Sequence, residues 1–190
     1  MALNASDVNA GDDILAAHNN ALIDDIEQHT HDGTDTTKVD FTANPETRRF
    51  SISPANLVPE QDTNVWLIGY DYAGSKDATA TSLSMGITLP QGAIITKLNI
   101  RWFRNDAAAA GLCSLWRTAL SDGGHVEMAV ADSNAATGFH TVEDSTIASA
   151  TIDNINYSYG IKLGISPNDA ATDVYFYGGY IEYTIVKPLP

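Results

Sequence analysis

Two imidazoles one residue apart, His29-Thr30-His31, form the local pattern with the most direct chemical use. In an extended segment residues i and i+2 point to the same side, and imidazole is a good ligand for iron, nickel or zinc. One chain offers two such nitrogens; three chains around a threefold axis offer six, enough for an octahedral transition-metal site on that axis. On a continuing helix the pair would point about 200° apart, so this chemistry needs the helix to end first. Asp32-Gly33 supplies a stop signal there. The alternative is a polar turn at a helix end.

Other chemistry-bearing residues are dispersed. Cys113 is the only cysteine, so neither an intrachain disulfide nor a Cys-rich zinc site can form, and its place in a strand pattern predicts burial. No Gly-x-Ser-x-Gly elbow, Gly-rich phosphate loop, zinc-protease His-Glu pair or EF-hand loop is present. Glu143-Asp144 resembles a glycosidase pair in composition only, because neighbouring strand residues point to opposite faces. His125 beside Gly123-Gly124 and His140 after Phe139 read as polar surface or hydrogen-bonded residues. The expectation is therefore a protein that is not an enzyme. Tyrosines gather late in the chain, and Tyr157, Tyr159, Tyr175 and Tyr177 are candidates for a subunit interface or a glycan contact. Since tyrosine is a favoured strand residue, the same cluster is compatible with simple β-propensity.

The elements that must carry these residues fall into three stretches. Asp12 to Gln28 reads as a helix, opened by Asn9 to Asp13 and free of Pro and internal Gly. Leu15, Asn19, Leu22, Ile26 and His29 repeat with 4-3 spacing, a short coiled-coil seam or the buried stripe of an amphipathic helix. Two heptads do not separate the two. A helix about 25 Å long is marginal alone, so self-association needs a second anchor. Between His29 and Asn64, Pro45, Pro54 and Pro59 interrupt a polar stretch holding Arg48-Arg49 and spaced apolar residues. This reads as an extended connector that lies against a partner. Residues 1–64 are thus expected to form an N-terminal helix and docking arm.

From Val65 onward the period becomes two. Leu83, Met85, Ile87 and Leu89 alternate with polar or small residues, and Ile94, Leu98, Ile100 and Trp102 share a face opposite Lys97, Asn99 and Arg101. Further runs span 112–119, 125–131, 139–148, 157–166 and 174–186, the last broken by Gly178-Gly179, a bulge signal. Turn signals such as Pro90-Gln91-Gly92, Asp122-Gly123-Gly124 and Pro167-Asn168-Asp169 separate them. About eight strands at hairpin spacing, without intervening helices, predict a mainly β fold. Residues 65–190 are expected to form an antiparallel, jelly-roll-like β-sandwich.

Composition narrows the partners. Among 190 residues, 44% are hydrophobic and 18% charged, a globular balance, and 10 Lys and Arg against 24 Asp and Glu give a net charge of −14. Such a surface repels a phosphate backbone, so no nucleic acid is expected. The first residues lack a basic and an apolar region, and nowhere do 18 apolar residues run together; neither signal-peptide secretion nor membrane insertion is expected.

The segment ALIDDIEQHTHDGTDTTKVDF, residues 21–41, resembles the N-terminal parts of tailed-bacteriophage fibre and other virion surface proteins. The later order is similar too: Ile100 to Asp106, then GFHTVEDSTI, then a Tyr-rich strand ending Tyr180-Ile181-Glu182-Tyr183. The resemblance implies a small trimeric β-sandwich carried on a stem, with His-x-His pairs that in some fibres bind iron on the trimer axis. It implies a homotrimeric capsid decoration protein, head fibre or short fibre at the virion surface. Its partners would be itself, other capsid or tail proteins and a host-surface glycan, and no cofactor would be needed beyond a transition metal at His29 and His31. The alternatives are a receptor-binding tail fibre and a lectin-like carbohydrate-binding module.

Overall fold

A computed structural model describes residues 45–61, 65–133 and 137–185, all within a compact unit spanning Phe41–Pro190. The expected helix over residues 12–28 lies outside the described residues. So do Leu15, Asn19, Leu22, Ile26, His29 and His31.

Eleven strands are described: β1 Glu46–Ile52, β2 Val58–Pro59, β3 Trp66–Ile68, β4 Ala73–Ser75, β5 Thr81–Ile87, β6 Ile94–Arg104, β7 Ala110–Ala119, β8 His125–Asp132, β9 Gly138–Asp144, β10 Tyr157–Ser166 and β11 Val174–Ile185. They form two antiparallel sheets. One runs β3-β4-β11-β6-β9, with β1 also paired to β11; the other runs β2-β5-β10-β7-β8. From β4 to β11 the chain crosses between sheets at every step except the β7–β8 hairpin, giving the four-strand orders 4-11-6-9 and 5-10-7-8. That is jelly-roll connectivity, two Greek keys wrapped into a sandwich.

Period-two patterning produces this arrangement because it gives the central strands β5, β6, β10 and β11 one apolar face each. On β5, Leu83, Met85 and Ile87 are buried while Ser84 and Gly86 face outward, and β10 buries Tyr159, Ile161, Leu163 and Ile165. Leu98, Ile100 and Trp102 of β6 and Phe176 and Ile181 of β11 complete the core from the opposite sheet. Trp102 meets Phe176 edge-on, with ring centroids 5.6 Å apart, the geometry that aromatic quadrupoles favour. Cys113 is fully buried, and burial pushes its thiol far above the ordinary range. It is a small apolar core residue rather than a nucleophile.

The boundary expected at residue 64 does not hold for the strands before it. Residues 46–52, assigned above to a docking arm, are a strand of the sandwich, paired from Glu46↔Ile185 to Ile52↔Gly179. A one-turn 3-10 helix follows at Pro54–Asn56, capped by the Ser53 hydroxyl, which accepts from the Ala55 N–H. The physical reason is the alternation Arg48, Phe50, Ile52, whose side is half-buried at Arg48 and Phe50 and fully buried at Ile52, while Thr47, Arg49 and Ser51 are exposed. The prolines lie outside that strand and break nothing within it.

The Gly178-Gly179 signal does mark a bulge: the β11–β6 register shifts between Phe176 and Gly178. Gly178 has φ +109, and a Cβ there would approach the Ile52 carbonyl oxygen at 2.9 Å. Only glycine is unstrained at such a backbone. The bulge is also where β11 changes its neighbour, from β4 at Phe176 to β1 from Gly179 onward.

Candidate functional site

The four candidate tyrosines do not form one surface. Tyr157 and Tyr159 share the inward face of β10, in the five-stranded sheet; Tyr159 is buried and its hydroxyl oxygen accepts from the Asp153 N–H at 2.7 Å. The Arg117 guanidinium lies 4.5 Å from the Tyr157 ring centroid. Tyr175 and Tyr177 are on β11, in the other sheet. Parity along β10 explains the separation, since Tyr157 and Tyr159 fall in step with the core residues Ile161, Leu163 and Ile165.

The outer face of the five-stranded sheet carries a groove of about 390 Å³. Register builds it: Gly160 sits opposite Gly86 on one side and Trp116 on the other. Two adjacent outward positions without side chains lower the floor next to a large ring, which then stands as a wall. No atom lies within 4 Å of where a Gly86 Cβ would be. The next rows add hydrogen-bonding groups, Ser84 beside Lys162 on one side and Thr118 beside His125 on the other.

Trp116 is held by the His125 ring, with centroids 5.2 Å apart, and its Nε1–H has no acceptor among the described residues. At the opposite end Lys162 Nζ pairs with the Glu60 carboxylate at 3.2 Å. The β7–β8 register shifts between Leu115 and Trp116, where Met128 is the extra residue of a bulge in β8, the strand facing the tryptophan. Apart from His125, singled out above as polar, these residues escaped sequence reasoning. One signal was present: Gly86 and Gly160 occupy outward positions within well-formed strands, where glycine weakens a strand and marks a close approach.

The outer face of the six-stranded sheet is different. Its β1-proximal half is a lattice of mutually satisfied charges: Arg49 with Glu182 at 3.1 Å, Lys97 with Glu143 at 3.0 Å, and Asn99 Nδ2 donating to Glu143 at 2.6 Å. The Lys97 and Asn99 hydrogen bonds hold the Glu143 carboxyl below its ordinary range. Its β4-proximal half is a closed circuit of rings. Tyr175 is opposite Phe103 and Phe103 opposite Phe139, with centroids 6.3 and 4.9 Å apart. Tyr72 packs on Tyr175 and Tyr177 at 4.8 and 5.9 Å, and Tyr177 returns to Phe139 at 5.0 Å. Burial, then the Asp71 carboxylate and Tyr72, raise the Tyr177 hydroxyl above its ordinary pKa.

The remaining candidates have structural partners. Glu143 and Asp144 point to opposite faces: Asp144 accepts from the Val130 N–H at 2.9 Å and the Thr146 N–H at 2.7 Å. His140 bridges backbone carbonyls, Nδ1 to Gly138 and Nε2 to Ser133, each at 3.0 Å. Asp106, Asp169 and Asp173 bring carboxylate oxygens within 4.8 Å of one another. Asp173 is committed to the backbone N–H groups of Ala170, Asp169 and Asn168 at 2.9 to 3.1 Å, which clasp the β10–β11 loop.

No protein-family model matches the sequence, and no curated protein does. Among solved structures the chain is similar to the xylan-binding module CBM15, at 12% identity and TM-score 0.44, over 75% of this chain and 99% of that one. It is similar to a family 11 carbohydrate-binding module from Clostridium thermocellum, solved with a mixed-linked tetrasaccharide, at 12% identity and TM-score 0.37, over 78% and 90% of the two chains. It is also similar to the enzymatically active domain of tailspike protein 4 from bacteriophage CBA120, at 12% identity and TM-score 0.40, over 80% of this chain and 21% of that one. What is shared is an antiparallel β-sandwich.

Proposed function

We propose that the domain is a non-catalytic carbohydrate-binding module whose ligand lies in the groove of the five-stranded sheet. The observation that carries this reading is Trp116 standing beside the bare Gly86-Gly160 floor, with hydrogen-bonding side chains on both flanks. A pyranose has an apolar C–H face and a rim of hydroxyls that each donate and accept. The Trp116 ring takes the apolar face, and Ser84, Thr118, His125, Lys162 and Glu60 are placed to take the rim. The missing side chains at 86 and 160 let the sugar approach the strand backbone.

Charge selects among sugars. The net charge of −14 disfavours an acidic polysaccharide, and Lys162 is already paired with Glu60, so the fit is to a neutral glycan. A disaccharide has about 23 non-hydrogen atoms, and at about −0.3 kcal/mol each it gains about −7 kcal/mol, a Kd near 10 µM. Binding of that strength becomes useful when several copies act together.

The resemblance of residues 21–41 to virion fibre stems favours a setting for this module. In that reading the chain is a bacteriophage virion surface protein, anchored by its N-terminal region and presenting the sandwich to a host-surface glycan. Electron microscopy of particles labelled with antibody against residues 65–190 tests the setting. A neutral-glycan array probed with the full chain and with Trp116→Ala tests the module itself. Specific binding lost in the variant supports it; equal binding by both proteins overturns it.

A further inference from the structure

The ring circuit on the six-stranded sheet is not part of the groove, since it lies on the other sheet of the sandwich. Phe139, at its β9 edge, is 57% exposed, a large apolar side chain facing solvent. An exposed apolar patch of contiguous rings marks an interaction surface. Its occupant is constrained by two features of the patch.

The rings are not coplanar. Most neighbouring pairs are inclined by 43 to 64°, and only Phe103 and Tyr175, at 23°, approach parallel. A sugar chain has no continuous flat shelf to lie on, whereas tilted rings interdigitate well with other tilted rings. The second feature is charge at the margins. Arg101 sits at the β9 margin, its guanidinium 5.4 Å from the Phe139 centroid, with a 3.5 Å contact to the Thr141 hydroxyl. Asp71 sits at the β4 margin beside Tyr177 and Tyr72. Neither Arg101 nor Asp71 has an ion-pair partner among the described residues. The neighbouring polar half of the same face leaves no such charge on Arg49, Lys97, Glu143 or Glu182.

We propose that this face pairs with the same face of a second copy of the chain across a twofold axis. An axis parallel to the strands, between β11 and β6, exchanges the β4 margin with the β9 margin. It lays Tyr72 of one copy over Phe139 of the other, Tyr175 over Phe103, and Asp71 opposite Arg101, twice. Such self-complementarity is what an isologous interface requires: residue i meets j, and j meets i. The ladder spans four strands at a spacing of about 4.8 Å. Alone it falls short of the roughly 800 Å² per partner of a standard interface, so the pair is weak and forms with rising concentration.

Sedimentation equilibrium of the full chain, from micromolar to millimolar, tests this with four variants. The wild-type chain should move from monomer to dimer. Phe139→Glu, at an exposed position that does not threaten folding, should leave a monomer. Arg101→Asp and Asp71→Arg should each weaken the dimer about tenfold or more through like charges across the axis. Mixing these two single variants should restore it, because every contact in the mixed pair then joins opposite charges. A wild-type monomer at all concentrations, a trimer, a dimer that survives Phe139→Glu, or a mixture that fails to recover overturns the proposal. Phe139→Ser, with circular dichroism matching the wild type, separates loss of the interface from loss of fold. Groove binding of glycans should be unchanged in all of these proteins.

Discussion

The two outer faces of the sandwich follow the same strand alternation and reach opposite results. On the five-stranded sheet Gly86, Gly160, Ser84 and Thr118 leave small or hydroxylic outward positions around one tryptophan, and the surface is hollowed into a groove. On the six-stranded sheet the outward positions are filled by rings over one half and by paired charges over the other. A hollow lined by mixed donors and acceptors fits a small polyhydroxylated ligand, and a filled apolar patch fits another protein surface. Side-chain volume at outward positions, not the backbone, therefore separates the functions proposed for the two sheets.

The bulge that fixes β11 between its two neighbours should be the most sensitive point. In Gly179→Ala a Cβ would overlap the Asn99 carbonyl oxygen and crowd Ile100. A loss of about 3 kcal/mol is expected, seen as a melting temperature lowered by about 10 °C. Wild-type melting would show that β11 and β6 have room to separate.

The next largest effects separate the groove from the ring face. Trp116→Ala should weaken glycan binding more than tenfold in calorimetry, as loss of a central aromatic contact does, whereas Phe139→Ala should leave it unaltered. Gly86→Leu should also weaken binding, by filling the floor. Since nothing lies within 4 Å of the Gly86 Cβ direction, its melting curve should stay within about 0.5 kcal/mol of wild type. Retained binding in Gly86→Leu would place the ligand elsewhere.

Acid should also act at the loop between β10 and β11. The backbone N–H of Ala170, followed by those of Asp169 and Asn168, holds the Asp173 carboxyl below its ordinary pKa. The unfolded chain then binds more protons than the folded one at acid pH, so this stabilisation is present above about pH 4 and is lost as pH falls through the lowered value. Asp173→Asn should flatten that part of the melting profile between about pH 2 and 5. The smallest effect is expected on the paired half of the six-stranded sheet. Glu182→Gln breaks an ion pair with an exposed arginine and should change stability by about 0 to 1 kcal/mol, with glycan binding untouched.

The sheets were legible in the sequence because alternation is local. Leu83, Met85 and Ile87 announce a half-buried strand without reference to any other segment, and Gly178-Gly179 announces a bulge in the same way. The strand Glu46–Ile52 was not legible as part of the sandwich. Its partner, residues 179–185, lies far along the chain, and the prolines and arginines nearby resemble a connector. The groove was hidden for the same reason: Gly86, Trp116 and Gly160 come from three strands, and only the register places them in one row. The tyrosines were only partly legible, because clustering along the chain says nothing about the face; parity sends Tyr159 into the core and leaves Tyr175 and Tyr177 on the opposite sheet.

In the proposed function the groove, not the ring face, receives a neutral glycan. Amide chemical-shift mapping of the full chain, titrated with a panel of neutral oligosaccharides, tests it most directly. Saturable shifts are expected only at Ser84–Gly86, Trp116–Thr118, His125 and Gly160–Lys162, with the amides of Phe103, Phe139 and Tyr175 unmoved. Saturable shifts centred on Phe103, Phe139 and Tyr175, or none with any sugar of the panel, would contradict it.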